Sequence, residues 1–278
     1  MDTSPRSAGS IAEQAGATED RPIAPARSWR DRLALWLGLG GVTVLAWLYL
    51  VWMPMSASNF GGFGRRLLGA TSPEVANAWI MFLMWAVMMV AMMLPSAAPM
   101  IETYARVAPA RGGSLARVWI FAAGYVVVWT IFSALATAAQ LSLQRLGMIN
   151  NAMTATPILA ALLLLATGLY QLTPLKTLCL SQCRSPLGFL MTQWREGASG
   201  ALLMGLRHGV ICFGCCAMLM VLLFVFGVMN LTWVAALSLL VLLEKALPVG
   251  RLIARVSGVA MLAAGIALLV RVAGSLIA

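Results

Sequence analysis

Five cysteines, one histidine and eighteen methionines carry most of the metal-binding chemistry open to this 278-residue chain. Three of the cysteines, the only histidine and an arginine fall within ten residues, 207-RHGVICFGCC-216, inside a run otherwise apolar enough to cross a bilayer. On a helix advancing about 100° per residue, Cys212 lies about 40° to one side of His208 and Cys215 about 20° to the other. Cys216 stands further round, and Met204, His208, Cys212, Cys216 and Met220 step by four along a slowly drifting stripe. One helix face therefore offers an imidazole, two or three thiols and flanking thioethers. Thiolate and imidazole suit Zn(II) and copper, and thioether tilts the set towards Cu(I). A lone Cys in such a run is commonly a small packing residue, and a lone His a hydrogen-bonded structural one. The cluster, next to a costly charge at Arg207, argues for a site instead. Its spacing departs from zinc-finger patterns, so the motif alone does not choose the metal.

Further soft donors lie elsewhere. In 79-WIMFLMWAVMMVAMMLPSAAPM-100, Met81, Met84, Met88 and Met92 share one helix face, with Met89 and Met93 as a second pair. Met is also a flexible packing filler, but six in thirteen residues exceed what packing needs. A neutral thioether suits Cu(I) without placing a charge in lipid. Cys179 and Cys183 follow in 176-KTLCLSQCRSPLGF-189, where a C-x3-C spacing puts both on one face of a helix. Taken alone, these are equally well two ordinary thiols in a reducing compartment. Glu244 and Lys245 mark the end of a later apolar run. Glu244 is a candidate metal ligand, or a neutralising partner for Arg207.

The elements that must position these groups are transmembrane helices. The chain is 61% hydrophobic and 10% charged, far below the roughly one-quarter charge of a soluble domain. About seven apolar runs, near 33–52, 75–95, 117–139, 155–173, 201–227, 231–247 and 252–273, approach the ~20 residues of a membrane span. The expected fold is an all-α, polytopic transmembrane helix bundle over 33–278, preceded by a disordered cytosolic tail over 1–32 that lacks the apolar core of a signal peptide. Pro95 is expected to close or bend the second helix. Lys and Arg are heavily biased to one side of this topology, so the positive-inside rule predicts a cytoplasmic N-terminus in a bacterial inner membrane. The net charge of +10 is spread between apolar runs and forms no basic face for nucleic acid. With this orientation Met92, Met93, Cys179, Cys183, His208, Cys212 and Glu244 all fall in the inner half of the bilayer.

The stretches 92-MMLPSAAPM-100, 183-CRSPLGFL-190, 194-WREGASGALLMGLRHGVICFGCC-216, 227-GVMNLTW-233 and 244-EK-245 together resemble a bacterial domain family of unknown function. Its members are described as predicted metal-binding integral membrane proteins. The resemblance covers roughly residues 75–250 and implies a membrane-embedded metal site. Ala217 follows the cysteine pair, where the family favours an aromatic residue.

These observations favour a protein that binds a transition metal ion for handling or transport, with copper preferred to zinc because zinc leaves the methionines without a role. Its expected ligands are His208, Cys212, Cys215, Cys216, Cys179, Cys183, Met88, Met92 and Glu244. The expected partners are the metal ion, membrane lipid, and a metallochaperone or a second copy of the chain. No catalytic triad, P-loop, dinucleotide fingerprint or carboxylate pair occurs, so neither a hydrolase nor an ATP-driven pump is expected. The alternative is a membrane thiol–disulfide relay using Cys179/Cys183 and a pair from Cys212, Cys215 and Cys216.

Overall fold

The computed structural model describes residues 29–55, 73–109, 114–150, 154–228 and 230–277. The N-terminal tail up to residue 28 and most of the turn-rich stretch 58–74 lie outside them. Among the described residues the chain is helical apart from one isolated bridge between Ile149 and Ala155. The helices are α1 (Trp29–Met55), α2 (Pro73–Val107), α3 (Leu115–Arg145), α4 (Pro157–Leu172), α5 (Pro174–Cys183), α6 (Pro186–Gln193), α7 (Gly197–Val221), α8 (Leu223–Phe226), α9 (Leu231–Ala246) and α10 (Gly250–Ile277).

Each apolar run falls on a helix. Among the described residues, five helical stretches are long and apolar enough to cross a membrane: Arg32–Trp52, Asn77–Val107, Leu115–Arg145, Gly197–Phe226 and Gly250–Ser275. The run at 155–173 becomes α4, which continues into α5 after a 67° bend. Thr173 makes this break, because its side chain accepts the Lys176 N–H and caps α5, while Pro174 occupies the first helical position. The run at 231–247 becomes α9, whose 16 residues rise only about 24 Å at 1.5 Å each. That is short of the roughly 30 Å hydrocarbon core.

Helix α2 runs through Pro95 and Pro99 for 35 residues, so Pro95 does not close it. A proline lacks the N–H that would bond the carbonyl four residues earlier. Here that carbonyl belongs to Ala91, and Trp47 Nε1 from α1 donates to it at 3.2 Å. A neighbouring helix thus satisfies the group freed by the proline, which keeps the helix continuous.

Helices α3 and α7 approach each other closely. A Cβ on Gly205 would collide with the Phe121 carbonyl, and one on Gly124 would collide with that of Leu202. These two glycines let the backbones meet directly, as small residues do in helix pairs that have no large side chains between them. The core between α2, α3 and α7 holds Trp85, Met88, Met92, Phe121, Tyr125, Cys212 and Met220, all buried. The opposite faces are apolar but exposed: Leu45, Leu48, Ile131, Leu135, Val259 and Val270 all point outward.

Candidate metal centre

The α3–α7 contact faces one side of the cysteine helix inward, and α5 brings a second set of thiols against it. Cys212, Cys215 and Cys216 are buried on α7, while Cys179 and Cys183 are half-buried on α5. The Sγ atoms of Cys183, Cys212 and Cys215 all lie within 4.8 Å of one another, the one such group of three among the described residues. Cys183 Sγ is 3.7 Å from Cys215 Sγ, and Cys212 Sγ is 3.8 Å from Cys216 Sγ. Cys216 in turn touches Met93 Sδ at 3.7 Å. Cys179 reaches the same region through Gly214, whose missing side chain makes room: a Cβ there would stand 2.8 Å from Cys179 Sγ. Sulfur from three helices therefore converges at one level of the bundle.

The other expected ligands occupy distinct places. His208 lies one helical turn from Cys212 but outside the three-sulfur group. Its ring stacks on Tyr125 at 5.5 Å and on Phe121 at 6.2 Å, and meets Phe189 edge-on. Its Nδ1 is buried with no hydrogen-bond partner among the described residues, an arrangement that native structures rarely leave unused. Met88 and Met92 are enclosed in the hydrophobic core beside the site. Glu244 is buried with Lys176 at 2.6 Å from its Oε2, and its Oε1 accepts from Gln171 at 2.9 Å. Its partner is therefore Lys176 and not Arg207. Arg207 is exposed, donates to Gln193, and lines a cavity of about 680 Å³ with Gln182, Ser185, Phe189 and Ile211. Gln182 and Ile211 are the chain neighbours of Cys183 and Cys212, although no cysteine lines the cavity itself.

Three contributors are less visible in the sequence. Lys245 Nζ lies 3.0 Å from Cys212 Sγ and 2.9 Å from Ser96 Oγ. Tyr125 Oη lies 3.0 Å from the same sulfur and donates to the Met93 carbonyl at 3.1 Å. Met93 supplies the thioether that touches a thiol. The Glu244–Lys245 pair at a helix end looks like an ordinary boundary, and adjacent residues on α9 project about 100° apart. One side chain thus reaches Lys176 and the other the sulfurs. Met93 was detectable as the partner of Met89 in the second methionine pair, whereas nothing in the pattern of α3 singles out Tyr125.

The set can do soft-metal chemistry. Clustered thiols with an adjoining thioether match Cu(I) and other soft ions, whereas a hard ion would need oxygen donors that the cluster lacks. Residues 82–268 match the family described as PpoB2, copper chaperone. No curated protein matches, and no solved structure does.

Proposed function

The chain belongs to the PpoB2 copper-chaperone family, and from that premise we propose that it is an integral membrane protein that carries Cu(I) on its clustered cysteines. The observation that carries this reading is the convergence of Cys183, Cys212 and Cys215 from two helices, with all three sulfurs within 4.8 Å. Cys216, Cys179 and Met93 surround them as further soft donors. Cuprous ion accepts both thiolate and thioether sulfur, whereas zinc leaves the thioether idle.

Membrane integration is supported by the five long apolar helices and by the outward-facing aliphatic side chains, which would be an aggregation hazard in water. The proposed topology has a cytoplasmic N-terminus in a bacterial inner membrane, from the Lys and Arg bias, with the bent α4–α5 pair and the short α9 completing seven membrane segments beside the five long helices. The cluster then lies in the inner half of the bilayer. The cavity beside Arg207 is the route in, and His208 meets the ion on the way to the thiols. Several weak soft sites in succession allow an ion to enter and leave again, which a single tight cage would prevent. A metallochaperone or a second copy of the chain receives or supplies the ion by thiolate exchange.

The test is metal content. The protein is purified in detergent under reducing conditions, loaded with Cu(I), and compared with Cys212→Ser/Cys215→Ser by elemental analysis. Copper near one equivalent in the wild type and background in the variant is expected. Background copper in both would end the proposal.

A second reading has one observation in its favour. The Cys183–Cys215 and Cys212–Cys216 sulfurs are close enough that, once an external disulfide had oxidised one pair and left as its dithiol, a neighbouring thiolate could attack the new disulfide, as a thiol–disulfide relay requires. Met93→Leu separates the two readings, because a relay has no use for a thioether and a copper site does.

A further inference from the structure

Among the described residues, Lys245 is the cation hydrogen-bonded to a sulfur of the cluster, and no carboxylate pairs with it. The three ion pairs among the described residues are Arg32–Glu102, Arg106–Glu102 and Lys176–Glu244. Glu244, the acid next to Lys245 in sequence, is fully engaged by Lys176 and Gln171. The Lys245 ammonium instead lies between Ser96 Oγ and Cys212 Sγ, at 2.9 and 3.0 Å. An ammonium drawn partly out of water gains from a counter-charge, and sulfur is the group placed to supply one.

We propose that Lys245 is the fixed counter-charge of the metal site and selects a cuprous ion on two thiolates. The inference rests on the copper reading above and deepens it. The charges add simply. A monovalent ion on two thiolates is a unit of net −1, which the Lys245 ammonium brings to neutrality. A divalent ion on the same two thiolates is already neutral, so the ammonium would be left as an uncompensated charge. A divalent ion regains balance only by recruiting the third thiolate of the group. The two-thiolate pair includes Cys212, the sulfur that the ammonium touches, with Cys183 or Cys215 as its mate. Lys245 keeps its hydrogen bond to Cys212 when the ion binds, because a thiolate has lone pairs for both. Lys245 is thus a positioning and selectivity residue and does not itself ligate.

The test compares Lys245→Met, Lys245→Gln and Lys245→Arg with wild type in detergent. Cu(I) and Zn(II) affinities are measured separately by competition with chromophoric chelators, and each variant is checked for an unchanged thermal transition and a monodisperse profile. Lys245→Gln keeps a hydrogen-bond donor without the charge, and remains informative if Lys245→Met fails to fold. Both neutral variants are expected to bind Cu(I) about ten- to a hundredfold more weakly, the range for losing a charge-assisted hydrogen bond. Their Zn(II) affinity should be unchanged or raised, and Lys245→Arg should stay within a few-fold of wild type for both ions. Wild-type Cu(I) affinity in the neutral variants would overturn the role of Lys245 while leaving the copper site standing. Equal losses of Cu(I) and Zn(II) would overturn the selectivity. Failure of the wild type itself to bind Cu(I) would overturn the copper reading and this inference together.

Discussion

Lys176 Nζ and Glu244 Oε2 are 2.6 Å apart, and both side chains are almost wholly enclosed. The pair ties the kinked helix α5, which carries Cys179 and Cys183, to the end of α9, which carries Lys245. It therefore sets how the two sides of the sulfur cluster face each other. Removing one member of a buried pair strands the other charge, which commonly costs about 3–5 kcal/mol. Glu244→Gln should accordingly lower the thermal transition sharply. Lys176→Met/Glu244→Gln, which removes both charges, should recover part of the loss. A single variant as stable as wild type would show that the pair does not hold α5 against α9.

The proline in α2 offers a sharper test of packing. Trp47→Phe deprives the Ala91 carbonyl of its donor, at a cost of about 1–3 kcal/mol for a buried group left unpaired. Replacing Pro95 with Ala returns a backbone N–H to that carbonyl. Trp47→Phe should then cost much less in the Pro95→Ala background than alone, which denaturation of the four proteins of the cycle would measure. Equal costs in the two backgrounds would mean that Trp47 contributes only its ring.

His208 tests the route of the ion. Its stacked ring and unpaired Nδ1 place it beside the three-sulfur group and not within it. His208→Phe keeps the aromatic packing and removes the nitrogen. The expected result is an unchanged amount of copper at saturation with slower uptake, followed by stopped-flow mixing with a coloured Cu(I) complex. Loss of bound copper at saturation would make His208 an obligatory ligand.

The helices were legible in the sequence because apolar runs of bilayer length have few alternatives. The α7 stripe was legible because His208, Cys212 and Cys216 recur every four residues on one helix. Periodicity says which residues share a face, but it does not say what that face meets. The meeting of Cys183 with Cys215 depends on the 67° break at Thr173, and the local signal there is a single Thr-Pro step. The selection of Met93 over Met88 and Met92 as the thioether against a thiol depends on the rotation of α2, which the cross-helix bond from Trp47 to Ala91 helps to fix. Lys245 looked like a membrane-boundary charge because its one distinguishing property, a turn inward to Cys212, is set by tertiary packing alone.

The most direct measurement is X-ray absorption at the copper edge of the Cu(I)-loaded protein. The account predicts a monovalent edge and a first coordination shell made of sulfur alone, at low coordination number, which is lost in Cys212→Ser/Cys215→Ser. A first shell of nitrogen or oxygen, or one unaltered by that double substitution, would contradict the claim that these cysteines hold the metal.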